Sequence, residues 1–92
     1  MEQTKTRKEN EYKAFSRDLG YKLRTVRERF FDTVKAASIK VRISAATITR
    51  YESGVETPNL LYVHRLMDAC GLKIEDLFLS TDEFVKKVWY TV

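Results

Sequence analysis

The chain has little of what several kinds of functional site need. It has one cysteine, one histidine and one proline among 92 residues. A single cysteine excludes an internal disulfide, and a single histidine leaves no set of zinc ligands. His64 and Cys70 are six residues apart on one expected helix, which places them on different faces. We therefore expect no metal, no cofactor and no enzymatic activity.

Long apolar runs are also absent. No run approaches the roughly 18 residues that a membrane-spanning helix needs, and the first ten residues contain no apolar segment that could act as a signal peptide. Hydrophobic residues nevertheless make up 43% of the chain and aromatic residues 12%, enough for a folded core in one small domain. We expect a cytoplasmic protein with no membrane partner.

Charge is divided unevenly along the chain. Residues 1–50 carry thirteen lysines and arginines against six acidic residues, whereas residues 51–92 carry four against seven. The net charge is +4. A basic half joined to an acidic half indicates one surface for a polyanion and another for packing or a protein partner.

Apolar spacing predicts a long first helix over residues 9–30. Its stripe recurs every three or four residues and comprises Tyr12, Phe15, Leu19, Leu23, Val26 and Phe30. Gly20 lies off this stripe, where it costs roughly 1 kcal/mol relative to alanine. It either allows a bend or splits the segment into two helices.

Two short helices are predicted next, separated by a turn at residues 40–43. Asp32 and Thr33 are candidate N-caps of the second helix, and Ser44 is the candidate N-cap of the third, which ends at Gly54. Their inward positions are Ala37, Val41, Ile48 and Tyr51.

A fourth helix follows Pro58, with Asn59 as its N-cap, and ends at Gly71. Its expected inward residues are Leu60, Val63, Leu66, Met67 and Cys70. A short fifth helix would bury Ile74, Leu77 and Phe78. Residues 80–83 form a capping-box pattern that favours a last helix, although residues 88–92 are rich in strand formers and leave an extended tail open.

A short helix, a tight turn and a second helix, set among three others in a basic chain, are the layout of a helix-turn-helix domain. Residues 19–27, 43–54 and 58–78 resemble the phage-repressor and Cro-like regulators, also called the xenobiotic-response-element type. The resemblance implies an all-α, five- to six-helix, lambda-repressor-like domain. The resemblance covers residues 19–78, and we expect the DNA-binding domain at residues 9–79, with the helix-turn-helix at about 33–53. Residues 1–8 would be a flexible basic N-terminus, and residues 80–92 a C-terminal dimerisation or packing segment.

The resemblance also implies roles for individual residues. Arg27 and Glu52 match a largely buried salt bridge that ties the recognition helix, residues 44–53, to the first helix. The base-reading residues would be Ser44, Ala45, Ala46, Thr49 and Arg50. The phosphate-contacting residues would be Lys35, Lys40, Arg42 and Thr47.

Three departures from the family's pattern affect this site. Val34 replaces a glutamine that often contacts phosphate, and Arg42 replaces the glycine of the turn. An arginine in the left-handed conformation costs on the order of 1 kcal/mol, so the turn is expected to differ in shape. Ala45 and Ala46 can offer only apolar contact to thymine methyl groups, which gives DNA shape more weight in recognition.

Apolar residues near both ends of the chain lie outside the resemblance. They are candidates for packing on each other or for a dimer interface: Tyr12, Phe15, Phe84, Val88, Trp89 and Tyr90.

The resemblance implies a transcriptional regulator, expected to be a repressor that binds a palindromic operator in double-stranded DNA as a homodimer. One alternative is the antitoxin of a toxin–antitoxin pair, which represses its operon and binds the toxin as a protein partner. The other is a protein-interaction adaptor that keeps the fold without reading DNA.

Overall fold

The computed structural model describes residues 2–91, so the end residues of the predicted segments 1–8 and 80–92 lie outside it. The described part is helical throughout and contains no strand, which confirms the all-α class. The elements in chain order are α1 (Glu2–Phe30), α2 (Val34–Val41), α3 (Ala45–Glu52), α4 (Leu60–Ala69), a 3₁₀ helix (Ile74–Phe78), α5 (Thr81–Lys86) and a π-helical turn (Lys87–Thr91). None of the helices within residues 2–91 is long and apolar enough to cross a membrane.

The first helix is continuous, which confirms the predicted long helix and excludes the alternative in which Gly20 splits it into two. It also begins at Glu2, before the predicted start at residue 9. Residues 2–8 are mostly strong helix formers without an apolar stripe, and apolar spacing therefore gave no signal there. Leu23 and Val26 are fully buried, whereas Tyr12 and Phe15 at the other end of the predicted stripe are exposed.

Four helices begin at a side-chain N-cap. The oxygen atoms of Thr33, Ser44, Asn59 and Ser80 each accept a hydrogen bond from the backbone N–H three residues further on. Each such cap contributes about 1 kcal/mol to the stability of its helix. The predicted caps Ser44 and Asn59 are confirmed, and of the pair at 32–33 it is Thr33 that caps α2.

One core lies between α1, α2, α3, α4 and the C-terminal helices. Its fully or almost fully buried large side chains are Leu23, Val26, Val41, Ile48, Tyr62, Leu66, Met67, Phe84 and Val88. Tyr62, which the apolar spacing of the fourth helix missed, packs its ring 5.3 Å from that of Tyr51. Its hydroxyl has no hydrogen-bond partner among the described residues, and burial raises its pKa.

Three expected core residues are exposed instead. Leu60 is the first residue of α4 and points outward, with 77% of its surface exposed. Phe78 is 83% exposed because residues 74–78 form a 3₁₀ helix, in which side chains align every three residues rather than four. Leu77 remains half-buried against the core, and Ile74 is exposed at its edge.

The C-terminal segment folds as α5 and the π-helical turn, not as an extended tail. Phe84 and Val88 are fully buried in the common core. The buried ammonium of Lys22 on α1 donates hydrogen bonds to the carbonyl oxygens of Leu77, at 2.9 Å, and Leu79, at 2.8 Å. A 2.7 Å ion pair joins Asp76 of the 3₁₀ helix to Lys87 at the start of the π-helical turn. Lys22 thus ties the C-terminal segment to α1, and the ion pair joins two parts of that segment to each other.

Candidate functional site

The turn between α2 and α3 is tight and is built around Arg42. This residue adopts the left-handed conformation, with φ 59° and ψ 42°, in the place where a glycine is usual. The backbone N–H groups of Arg42 and Ile43 both donate to the carbonyl oxygen of Ser38, at 2.8 and 3.3 Å. These two hydrogen bonds close the end of α2 and offset the cost of the left-handed arginine. The expectation that Arg42 changes the turn was therefore wrong in one respect, since the backbone still takes the glycine-like conformation.

The third helix has one buried and one open face. Ile48 is fully buried and Tyr51 is 5% exposed, and both pack into the core. The opposite face holds the predicted base-reading residues: Ser44, Ala46, Thr49 and Arg50 are exposed, and Ala45 is half-buried. The predicted phosphate residue Thr47 is half-buried on the first turn of the same helix.

Polar groups on this open face are held by short-range hydrogen bonds. The Thr49 hydroxyl donates to the carbonyl oxygen of Ala45 at 3.0 Å, and the Ser44 hydroxyl donates to that of Thr47 at 2.8 Å. Arg50 makes only long contacts, 3.4 Å to Thr47 and 3.5 Å to the carboxylate of Glu56. Such distances are at the weak limit for hydrogen bonds, so the Arg50 guanidinium is free to turn toward a better acceptor.

A buried ion pair fixes α3 to α1. Arg27 donates through Nε to Oε2 of Glu52 at 2.6 Å and through Nη2 to Oε1 at 3.0 Å, and both side chains are more than 90% buried. The hydrogen bonds to Glu52 raise the pKa of Arg27, against the opposing effect of burial. The two parallel bonds define the orientation of the guanidinium as well as its distance, and the end of the recognition helix is held rigidly.

The same two helices touch at Gly20. A Cβ atom placed on Gly20 would lie 2.9 Å from the carbonyl oxygen of Glu52 and closer still to that of Tyr51. Only glycine lets the backbone of α1 approach the end of α3 this closely. The sequence showed Gly20 as an off-stripe residue but not which element would meet it.

The predicted phosphate contacts do not form one cluster. Lys40 and Arg42 are exposed and open into a cleft of about 560 Å³ against α4, lined also by His64, Arg65 and Asp68. Arg65 donates to the carbonyl oxygen of Val41 at 3.1 Å and so closes the C-terminal end of α2. Lys35 is exposed on the first turn of α2 and does not line this cleft.

A second cleft, of about 260 Å³, lies between α1, α2 and α3. It is lined by Arg24, Arg27, Val34, Thr49, Glu52 and Ser53. One of its lining residues, Arg24, was not among the predicted site residues. The Arg24 side chain is 59% exposed and pairs with Glu28 at 2.6 Å. Helical spacing places residues 20, 24 and 27 on one face of α1, but it does not show that α2 and α3 border that face. Arg24 therefore supplies a cation beside Val34, where the family often has a polar phosphate contact.

The terminal apolar residues separate into two groups. Phe84 and Val88 are buried inside the chain, whereas Tyr12, Phe15, Trp89 and Tyr90 are exposed. The Tyr12 hydroxyl lies 2.6 Å from that of Thr57, and Trp89 stacks near the guanidinium of Arg29 at 5.7 Å. The six residues therefore do not form one joint cluster within the chain.

The remaining reactive groups form no catalytic arrangement in the described part. Burial raises the pKa of the Cys70 thiol to about 11, so the thiol is neutral at pH 7. His64 is exposed on α4. Within the residues whose side chains are described, no group of three or more histidine, cysteine or acidic side chains is placed to hold a metal ion.

Comparison with known proteins gives one match. Residues 18–78, two thirds of the chain, match the model of a family of helix-turn-helix domains. The match spans α2, the turn and α3 together with most of the surrounding helices. Searches of the curated proteins and of the solved structures gave no match.

Proposed function

Because this chain belongs to a family of helix-turn-helix domains, we propose that it is a sequence-specific DNA-binding regulator of transcription, of the phage-repressor and Cro-like type. It binds a palindromic operator as a homodimer, with residues 44–53 of each copy in the major groove. It acts as a repressor, by occupying DNA that the transcription machinery needs. Its occupancy of the operator is set by protein concentration or by a partner protein.

The observation that carries this proposal is that α3 has an exposed outward face and is held rigidly on its other side. Its outward face is exposed and polar, while its inward face and its C-terminal end are fixed by Ile48, Tyr51 and the Arg27–Glu52 ion pair. A rigid helix with an open polar face fits the major groove, which is wide enough to admit it.

Base recognition depends mainly on Arg50. Its guanidinium can donate two parallel hydrogen bonds to the O6 and N7 atoms of guanine, a pairing worth about 1–3 kcal/mol of discrimination. Thr49 can donate to a base edge or contact a thymine methyl group, whereas Ala45 and Ala46 offer apolar contact only. With few direct contacts, the stiffness and groove width of the operator contribute to specificity.

Phosphate contacts flank this face on more than one side. Lys35 and Arg24 lie on elements that border the cleft between α1, α2 and α3, and the amide end of α3 carries the Ser44 and Thr47 hydroxyls. Lys40 and Arg42 extend the basic surface toward α4. These groups attract the DNA backbone and fix the orientation of α3 on it.

The test is fluorescence anisotropy with a labelled duplex taken from upstream of the protein's own gene, beside a scrambled duplex, over a series of salt concentrations. The proposal predicts a preference of about 10³-fold or more for the native duplex and a linear fall of log affinity with log salt. Equal, weak binding to both duplexes would contradict it and favour a protein-interaction role.

A further inference from the structure

An apolar groove lies beside the helix-turn-helix unit and is not part of the DNA-binding face. We call it the α1–α4 groove, of about 220 Å³, and its main lining side chains are Phe15, Leu60, Val63, Ile74, Leu77 and Phe78. Three of them are largely exposed: Phe15 at 56%, Leu60 at 77% and Phe78 at 83%. The groove also contains the three residues that apolar spacing wrongly predicted to be buried, namely Leu60, Ile74 and Phe78. Their side chains are apolar, and no other part of the described chain covers them.

The polar groups of the groove are satisfied within the chain. The carboxylate of Asp18 pairs with Lys22 at 3.0 Å and accepts a hydrogen bond from Thr81 at 2.7 Å. The Thr57 hydroxyl bonds those of Ser16, at 2.8 Å, and Tyr12, at 2.6 Å. A partner can therefore cover the groove without leaving these polar groups unpaired.

The internal pairing of these polar groups matters most when the partner is a second copy of the chain related by a two-fold axis. A two-fold axis brings equal groups together, and an unpaired charge in the contact would face its own copy at a cost of several kcal/mol. Asp18 is the charged residue that lines the groove, and it is already paired with Lys22. An apolar surface whose charge is neutralised internally can meet an identical copy without facing a like charge across the axis.

The exposed apolar area of the groove is also large enough for the centre of a dimer interface. A fully covered aromatic side chain buries about 150–250 Å², so Phe15 and Phe78 together leave on the order of 250 Å² uncovered. Leu60 and Ile74 raise the patch to roughly 400 Å², which is comparable to the apolar centre of an interface that buries about 800 Å² per partner.

The position of the groove fits the spacing of two half-sites. Recognition helices that read sites one turn apart are separated by about 34 Å, so each lies about 17 Å from the dimer axis. Only four residues lie between Glu52, at the end of α3, and Thr57 in the groove, so the chain between them spans at most roughly 17 Å. Tyr51 of α3 also packs on Tyr62 of α4, two residues from Leu60.

We propose that the α1–α4 groove is the dimer interface, covered by the same groove of a second copy of this chain. The two copies bury Phe15, Leu60 and Phe78 against their symmetry mates and place the C-terminal ends of the two α3 helices toward the axis. This inference rests on the proposed function only for the half-site spacing. It assigns no part of the dimer contact to Trp89 and Tyr90.

The experiment is sedimentation velocity of the full chain without DNA, over a range of micromolar concentrations, for the wild type, Phe78→Glu and Tyr90→Glu. Phe78 and Tyr90 form a matched pair, because both are aromatic and are 83% and 86% exposed, and neither substitution disturbs the core. Thermal melting by circular dichroism checks that both variants fold.

The wild type and Tyr90→Glu are expected to sediment at twice the 10.8 kDa chain mass, and Phe78→Glu as a monomer. The dissociation constant of the dimer should rise about 100-fold or more in Phe78→Glu, since the substitution occurs twice in one interface. A dimer that survives Phe78→Glu, a dimer lost in Tyr90→Glu alone, or a monomeric wild type would each overturn the proposal.

A DNA measurement separates this outcome from failure of the proposed function. Phe78→Glu should bind a duplex carrying one half-site with wild-type affinity, because α3 is untouched. A wild-type dimer that binds no DNA would reject the regulator and leave the groove interface standing, whereas a monomer that binds a half-site would do the reverse.

Discussion

Arg27 and Glu52 form a bidentate ion pair, with contacts of 2.6 and 3.0 Å, between the last turn of α1 and the last residue of α3. Removing one partner leaves a buried charge without its counterion. We expect Arg27→Ala or Glu52→Ala to cost roughly 3–5 kcal/mol, a fall in Tm of more than about 10 °C for a domain of this size. Thermal melting by circular dichroism measures it.

A second ion pair on the same helix serves as the control. Arg24 and Glu28 are both well exposed, so Arg24→Ala should change stability by less than about 0.5 kcal/mol. The double substitution Arg27→Met with Glu52→Leu should recover much of the loss, since neither charge is then stranded. A shift of under about 2 °C in Arg27→Ala would show that the pair does not hold α3.

The contact at Gly20 predicts a result opposite to helix propensity. Alanine is favoured over glycine by about 1 kcal/mol inside a helix, so Gly20→Ala would stabilise α1 if the site were open. Here the new methyl group meets the carbonyl oxygens of Tyr51 and Glu52, and the two helices must separate. We expect a loss of at least about 1 kcal/mol in urea unfolding.

The control for this substitution is Ala14→Gly at an exposed position of the same helix. It should lower the free energy of unfolding by about 1 kcal/mol through propensity alone. Gly20→Ala and Ala14→Gly would then both lower the stability of the protein, although they exchange the same two residue types in opposite directions. A stabilised Gly20→Ala protein would mean that α1 and α3 do not touch there.

Asp76 makes stability sensitive to acid. The hydrogen bond from Lys87 lowers its pKa below the usual value, helped by the backbone N–H of Lys73 and opposed by burial. The native carboxylate thus holds its charge more strongly than the unfolded one. The contribution of the Asp76 carboxylate to the free energy of unfolding is therefore present above about pH 4, and it is lost as the pH falls through the native pKa.

Asp18 acts in the same direction: burial alone would raise its pKa, but the hydrogen bonds from Thr81 and Lys22 outweigh it and lower the pKa. We expect Asp76→Asn to reduce the free energy of unfolding at pH 7 and to flatten its decline between about pH 5 and pH 2. Urea unfolding at several pH values tests this, with Glu75→Gln at the exposed neighbouring position as the control. A decline as steep as that of the wild type would exclude Asp76 as a source of acid sensitivity.

Arg24 is expected to contact a DNA phosphate. Its removal should weaken binding to native and scrambled duplexes by the same factor and reduce the slope of log affinity against log salt by about one. Lys86 is exposed on α5, so Lys86→Ala removes one positive charge outside the cleft between α1, α2 and α3 and should leave the slope unchanged. Equal slopes in Arg24→Ala and the wild type would show that the backbone does not enter this cleft.

Much of the local structure follows from the sequence. Ser44 and Asn59 cap the helices that they were expected to cap, and the inward residues of the second and third helices are buried, because these features depend on neighbours a few residues away. The same holds for α5, which the capping pattern at residues 80–83 predicted and which Ser80 caps.

Local sequence patterns could not predict the features that depend on which helices pack against each other. The value of a glycine at position 20 appears only when α3 ends against it, and Arg24 becomes a candidate only once α2 and α3 border its face of α1. Phe78 was misplaced because apolar spacing does not distinguish a 3₁₀ helix from an α-helix.

The central claim is that α3 reads DNA and that Arg50 supplies its main base contact. The most direct measurement is selection of bound duplexes from a random-sequence library, for the wild type and for Arg50→Ala. The wild type should enrich a two-fold symmetric motif with half-sites about 34 Å apart, and Arg50→Ala should lose the preference for guanine at one symmetric pair of positions. No enriched motif with the wild type, or the same guanine retained by Arg50→Ala, would contradict the account.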